Sequence, residues 1–276
     1  MQLQYRNNVR CSGSGNATLL FSHGFGCDQS MWRLTTPAFA DRFRIVCYDL
    51  VGSGRSDRSA YDPAKYDSLH GYASDVLEIV DSYCKGSVVF IGHSVSSMIG
   101  MLAALKQPQA FASLIMVAPS PCFINDGDYI GGFNREDIDT LLEMMEQNFG
   151  KWAGQLAPII MGAPDQPELQ QELCDSFLRN DPVIARQFAE VAFLADHRLD
   201  LPHLHRPTLI MQSSDDLMAP REVGIYMQER IPNSHMVVID NIGHCPQMST
   251  PGASVSAISD FVSPLLQAAA VATQPT

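Results

Sequence analysis

The sequence lacks the features of a membrane protein, a disulfide scaffold and a nucleic-acid-binding protein. No apolar run approaches the ~18 residues of a membrane span, and residues 1–8 have no apolar core of a signal peptide. The 7 cysteines are odd in number and include no C-x-x-C pair, which argues against a disulfide framework or zinc ribbon. Lysine and arginine number 18 against 30 acidic residues, too few for phosphate-backbone binding. We expect a cytoplasmic protein with no membrane or nucleic-acid partner.

The order of predicted strands and helices indicates one core with an inserted segment. The chain has 276 residues, 46% of them hydrophobic, which is enough for one large core. Strand-like and helical segments alternate as far as Leu114–Val117, and the strand pattern resumes only at Thr208–Gln212. We expect a core of residues 1–122 and 203–276 with a helical lid of residues 123–202. The predicted lid helices are Asp137–Phe149, Trp152–Met161, Glu168–Leu178 and Pro182–Leu194.

The most informative stretch surrounds Ser94. The apolar residues Val88–Ile91 lead into Gly92, Ser94 and Ser96, and then into an apolar segment of helical length. This pattern predicts a strand, a sharp turn and a helix, which would expose the Ser94 hydroxyl above the sheet. Glycine is usual where Ser96 stands, but serine is also small and should strain the turn little. Ser94 is therefore a candidate nucleophile, which needs a base, an orienting carboxylate and oxyanion donors.

Candidates for the base and the carboxylate follow later predicted strands. Asp215 and Asp216 come after one strand and His244 after the next. Loops at the carboxyl ends of parallel strands share one edge of the sheet, and Ser, Asp, His is the chain order used by hydrolases with this turn. Either aspartate could orient the base. His93 is a competing base, but it adjoins Ser94 on the strand and should point elsewhere.

The Ser22–Gly26 loop is the candidate for one oxyanion donor. It follows a short apolar strand and contains two glycines, so it can present a bare backbone N–H. We assign this donor to Phe25 and the second to Val95, at the start of the helix after Ser94, where the helix dipole favours negative charge. The alternative for the loop is an ordinary turn.

Two other patterns suggest cofactors or metals but are incomplete. Gly52 and Gly54 form a G-x-G without a third glycine or a helix directly after it, so we reject a dinucleotide site. His203 and His205 form an H-x-H without an evident third ligand, and a solvated loop explains them better than a metal site does. We expect neither a metal nor a cofactor.

The lid is rich in apolar residues and could wall a pocket over Ser94. Most of these side chains are needed for packing between helices, but some should face a ligand. The candidate pocket residues are Phe25, Phe123, Phe133, Leu141, Ile159, Val191, Leu217 and Met218.

Several stretches resemble one known family between Ser22 and about Phe261. The chain is similar to α/β-hydrolases of the RsbQ type, which are bacterial stress-signalling proteins, and to the plant karrikin and strigolactone receptors. The segment Gly92–Gly100 looks more like the plant receptors. The segments that look like RsbQ are Leu141–Glu146, Asp181–Phe188 and Gly243–Pro246, whereas Ser120–Pro121, Asn125–Asp126 and Tyr129–Phe133 fit both.

The resemblance implies an α/β-hydrolase fold with a mostly parallel central sheet, helices on both faces, and a four-helix lid inserted after the strand near residue 117. It implies a triad of Ser94, Asp216 and His244, since the family acid stands immediately before the Leu-x-x-Pro continuation. It also implies oxyanion donors at Phe25 and Val95, and an apolar pocket beneath the lid.

Two hypotheses for function follow. The chain is either a serine hydrolase that cleaves a small apolar ester or lactone, or a signalling protein whose lid binds a partner while hydrolysis is secondary. RsbQ-like proteins imply a PAS-containing phosphatase as that partner, and receptor-like ones imply a ubiquitin-ligase adaptor. The two are compatible, because a slow hydrolase can act as a sensor.

Overall fold

A computed structural model describes the backbone of residues 2–272 and the side chains of residues 2–263. A seven-stranded sheet runs through the molecule in the order β1-β3-β2-β4-β5-β6-β7. Strand β1 is antiparallel to β3, and all other neighbours are parallel. The strands are β1 Arg10–Ser12, β2 Thr18–Ser22, β3 Arg44–Tyr48, β4 Val88–His93, β5 Ser113–Val117, β6 Thr208–Asp215 and β7 Ser234–Ile242.

The central strands are buried on both faces. Every residue of β2, β4 and β5 is buried, as expected for parallel strands covered by helices on each side. Successive side chains point to opposite faces, so Leu19 and Phe21 join one apolar cluster and Leu20 joins the other. The sheet therefore separates two hydrophobic cores.

Helices cover both faces of this sheet. Residues of α2, α3 and α8 pack in the cluster that contains Leu20, whereas α10 packs in the cluster that contains Phe21. The helices outside the lid are α1 Leu3–Arg6, α2 Leu69–Tyr83, α3 Val95–Lys106, α8 Arg221–Arg230, α9 Pro246–Ser249 and α10 Pro251–Ala272.

Four helices lie between β5 and β6 and form the lid. They are α4 Arg135–Gln147, α5 Phe149–Met161, α6 Pro167–Leu178 and α7 Pro182–Phe193, close to the predicted segments. Their ends follow local rules: Asp181 caps α7 by accepting from Val183 and Ile184 N–H, and Pro182 takes the first helical position, where no N–H is needed. The domain bounds at residues 122 and 203 stay a prediction, and residues 1 and 273–276 of the predicted core lie outside the described residues.

The predicted fold class is confirmed: this is the α/β-hydrolase architecture. Among the described residues, no helix combines the length and the apolar character needed to cross a bilayer. Over the same residues, no three His, Cys, Asp or Glu side chains come together as a metal site would require.

Candidate active site

Ser94 sits on a strained turn between β4 and α3. Its backbone has φ 54° and ψ −123°, a conformation rare for a residue with a side chain. The Ser94 N–H donates to the Val117 carbonyl of the neighbouring strand at 2.8 Å. Gly92 is required just before the turn, since a Cβ there would lie 2.6 Å from the Ser96 carbonyl oxygen. The predicted strand, turn and helix are all present.

His244 lies between Ser94 and Asp216 and is hydrogen-bonded to both. Its Nε2 is 2.8 Å from Ser94 Oγ, and its Nδ1 is 2.7 Å from Asp216 Oδ2. Because an ionised carboxylate can only accept, Nδ1 carries the proton and Nε2 accepts from the Ser94 hydroxyl. All three side chains are buried. A base placed and oriented in this way is what an activated serine nucleophile requires.

The orienting carboxylate is Asp216 rather than its neighbour. The second oxygen of Asp216 accepts from the Met218 and Ala219 N–H groups at 2.8 and 3.2 Å. These bonds fix the carboxylate toward His244. Asp215 ends β6 and is exposed, so the choice left open by the residues alone is decided by geometry.

His93 is hydrogen-bonded to the backbone of His244 and not to the Ser94 hydroxyl. Its Nε2 donates to the His244 carbonyl at 2.8 Å. Burial lowers the pKa of His93 well below its ordinary value, and the neighbouring imidazole of His244 lowers it further. His93 is therefore a neutral support for the loop that carries His244.

The backbone N–H groups of Phe25 and Val95 are the predicted oxyanion donors. Neither donates a hydrogen bond to any residue of the described chain. The loop before Phe25 is held by His23, whose Nε2 accepts from Leu50 N–H at 2.9 Å and whose Nδ1 donates to the Gly24 carbonyl at 2.8 Å. Unpaired backbone donors are what a tetrahedral intermediate needs, and the assignment of these two N–H groups to that role stays a prediction.

The lid is bonded to the same loop. The Gly26 carbonyl accepts from Ser176 Oγ at 3.0 Å and from Asn180 Nδ2 at 2.9 Å. Nearby, Arg179 forms an ion pair with Asp28 at 3.0 Å. Hydrogen bonds and an ion pair thus connect the carboxyl end of α6 to the loop that contains Phe25.

The cavity above Ser94 is almost filled. Its volume is about 20 Å³, space for about one water molecule. Aliphatic, aromatic and sulfur-containing side chains form most of its wall, and a ligand larger than about one water molecule does not fit unless side chains move. The lining residues are Phe25, Cys27, His93, Ser94, Ile160, Leu173, Phe177, Phe193, Met218, His244 and Cys245.

The predicted pocket is corrected at most positions. Phe25 and Met218 line the cavity, but Ile159 and Leu217 are 51% and 66% exposed. In each case the neighbour faces inward instead: Ile160 does so because adjacent helical residues point about 100° apart.

The remaining predicted pocket residues also lie elsewhere. Phe123 and Leu141 are buried in the core cluster around the cavity, and Phe133 is partly buried against it, because they fill space between the lid and the body. Val191 lines a separate surface groove beside Tyr61 and Leu69.

The cavity residues missed from sequence are Cys27, Ile160, Leu173, Phe177, Phe193 and Cys245. Helical periodicity marks Phe177 and Phe193 as apolar-face residues but does not say which space they enter. Burial raises the pKa of the Cys27 and Cys245 thiols, so both are neutral wall residues at ordinary pH.

The sheet, the turn at Ser94 and the Ser94–His244–Asp216 hydrogen bonds together define a hydrolase of the α/β-hydrolase fold. Comparison with known proteins gives the family. Residues 19–258 match the model of the alpha/beta hydrolase family, and the chain belongs to that family.

Its relatives include plant receptors and bacterial hydrolases. The karrikin insensitive 2 receptor CA of Petunia hybrida is 37% identical over 89% of this chain and 91% of its own. The strigolactone esterase RMS3 of Pisum sativum is 37% identical over 88% and 92%. Among solved structures, a hydrolase from Oleispira antarctica is 42% identical with a TM-score of 0.92, covering 95% of this chain and 96% of that one.

Proposed function

We propose that this protein is a serine hydrolase that cleaves a small apolar ester or lactone. The observation that carries the proposal is the hydrogen-bonded series from Ser94 Oγ through His244 to Asp216. The names of the relatives agree with this chemistry, since two of the plant proteins are called strigolactone esterases.

In the proposed reaction, Ser94 Oγ attacks the acyl carbon and its proton passes to His244 Nε2. The carbonyl oxygen becomes an oxyanion that accepts from the N–H groups of Phe25 and Val95, while Asp216 stabilises the imidazolium. The intermediate expels the alkoxide, which takes the proton from His244. Water then attacks the acyl-enzyme with His244 as base, and the acid leaves with Ser94 restored.

The cavity suggests a neutral substrate with a small acyl part. Apolar side chains from the lid and the body line most of it, and its about 20 Å³ leave no room for a large group in the closed state. Because the cavity has space for about one water molecule, even a small acyl group requires some displacement of its lining side chains. Charged substrates would lose hydration in this site with no counter-charge to compensate.

Hydrolysis of p-nitrophenyl acetate by wild type and Ser94→Ala tests the proposal. We expect Ser94→Ala to lower kcat by more than about 10³-fold, as loss of a nucleophile does. Ser113→Ala is a matched control, because Ser113 is buried at the amino end of β5 and its hydroxyl has no partner among the described residues. Equal rates in Ser94→Ala and wild type would contradict the proposal.

A second candidate function is signalling through a partner bound at the lid. It is favoured by the nearly closed cavity and by apolar side chains exposed on lid helices, among them Leu178 at 47% and Val183 at 69%. By resemblance the partner would be a PAS-containing phosphatase or a ubiquitin-ligase adaptor, in the cytoplasm. A pull-down with wild type and with Leu178→Asp/Val183→Asp, each with and without a hydrolysable ester, tests this. Retention by wild type alone is expected, and no retained partner under any condition would contradict it.

A further inference from the structure

A line of buried hydroxyl groups joins the sheet to the Ser22–Gly26 loop. Tyr48 Oη is 2.7 Å from Ser22 Oγ, which is 2.8 Å from Ser96 Oγ, which is 2.5 Å from the His23 carbonyl oxygen. All four residues are fully buried. Three side chains from β3, β2 and α3 therefore form one hydrogen-bonded series that ends at a backbone carbonyl.

The direction of these hydrogen bonds is fixed by their last acceptor. A carbonyl oxygen cannot donate, so the single proton of Ser96 points to His23. The Ser96 hydroxyl must then accept a hydrogen bond from Ser22, and the Ser22 hydroxyl one from Tyr48, in agreement with the observed distances. Each hydroxyl is both donor and acceptor except Tyr48, and the set is satisfied only in this one arrangement.

The bonded carbonyl lies two residues before a proposed oxyanion donor. His23 precedes Gly24 and Phe25, and Ser96 directly follows Val95, which supplies the other donor. The Ser96 hydroxyl thus joins the two segments whose N–H groups must converge on one oxygen. No other group in residues 2–263 donates a hydrogen bond to the His23 carbonyl.

We propose that Ser96 is a positioning residue that sets the Phe25 N–H relative to the Val95 N–H through its bond to the His23 carbonyl. The proposal rests on the proposed hydrolase function. It gives a role to the serine found where hydrolases of this fold usually have glycine: a glycine would complete the turn but leave the loop carbonyl unpaired.

Kinetics of Ser96→Ala test the proposal. Because misplacing one oxyanion donor costs about 10²-fold or more in kcat, we expect kcat for p-nitrophenyl acetate to fall by at least about tenfold. KM should change by less than about twofold, since ground-state binding does not use the donors. An arylboronic acid, which forms a tetrahedral adduct with Ser94, should bind more weakly by about the same factor as kcat/KM falls.

If Ser96 only stabilised the fold, Ser96→Ala would not lower kcat/KM and boronate affinity by the same factor while KM stayed nearly unchanged. The pH midpoint of kcat/KM should stay at the wild-type value, because His244 and Asp216 are untouched. Thr18→Val is the matched control. Thr18 lies on β2 at the opposite end from Ser22, is fully buried, and forms two hydrogen bonds with Lys85 backbone atoms. We expect it to lower the unfolding midpoint without changing kcat.

Tyr48→Phe tests whether the outer hydroxyl group matters for activity or only the bond from Ser96 to His23. It removes the outer donor but leaves the bond from Ser96 to His23, so kcat should stay within about threefold of wild type. A wild-type kcat in Ser96→Ala, or a boronate affinity that does not fall with kcat/KM, would overturn the role of Ser96 while leaving the triad intact. An inactive wild type, or full activity in Ser94→Ala, would instead overturn the proposed function.

Discussion

The buried imidazole of His93 gives a quantitative prediction about the stability of the protein in acid. His93 is 2% exposed, and its pKa is held well below the ordinary 6.5 by burial and then by His244. An unfolded chain binds a proton at this residue below about pH 6.5, whereas the folded chain does not. Stability from the neutral His93 is therefore complete above pH 6.5 and is lost as the pH falls toward the folded-state pKa.

The size of the effect follows from linkage. At pH 5.5 about nine tenths of unfolded chains carry a proton on this residue, whereas the lowered pKa of His93 keeps most folded chains unprotonated, so the free energy of unfolding falls by about 1 kcal/mol per pH unit. Between pH 7.5 and 5.5 the loss from this one group is on the order of 1 kcal/mol.

Urea unfolding followed by tryptophan fluorescence at pH 7.5 and 5.5 measures this loss. The comparison is with His93→Gln, which can still donate to the His244 carbonyl but does not titrate. The variant should lose on the order of 1 kcal/mol less than wild type over this interval, because other titrating groups cancel in the difference. Equal losses in the two proteins would refute the neutral supporting role of His93.

Three further substitutions test the site. Asp216→Asn should keep the fold but hold the wrong tautomer of His244, lowering kcat by about 10⁴-fold in the p-nitrophenyl acetate assay; a loss under tenfold would contradict the orienting role. Phe177→Ala removes a fully buried cavity wall and should lower the free energy of unfolding by about 3–5 kcal/mol. It should also raise kcat/KM for butyrate relative to acetate esters, and an unchanged ratio would argue against a closed cavity. Gly92→Ala places a Cβ against the Ser96 carbonyl, and thermal unfolding should show severe destabilisation rather than a selective loss of activity.

The placement of Ser94, Asp216 and His244 could be predicted because it depends on a rule of topology. Each residue follows a strand, and parallel strands end at one edge of the sheet. Even a strand boundary misplaced by one residue leaves such a prediction intact. The resemblance to the family indicated Asp216 rather than Asp215. The hydrogen bonds from the Met218 and Ala219 N–H groups show how the Asp216 carboxylate is fixed in place.

The cavity wall could not be predicted in the same way, because it depends on the direction of single side chains. Ile159 and Ile160 have the same chemistry, yet only Ile160 reaches the cavity. Leu217 and Met218 differ likewise on a loop, where no periodicity applies. Such choices are set by packing between lid and body, which sequence spacing does not encode.

Ser96 shows a second limit of prediction from sequence. Its size predicts that the turn tolerates it, and this is all that local sequence can say. Its partners Ser22 and His23 lie more than seventy positions away, at separations of 74 and 73 residues. Hydrogen bonds between residues so far apart in sequence can be identified only when the order of strands in the sheet is known.

Active-site labelling tests the central claim most directly. A fluorophosphonate that modifies activated serines should add once to the wild-type protein, and peptide mass spectrometry should map the adduct to Ser94. In His244→Ala the labelling rate should fall by at least about 10²-fold, since no base remains to take the hydroxyl proton. An adduct on a different residue, or a labelling rate unchanged in His244→Ala, would contradict the account.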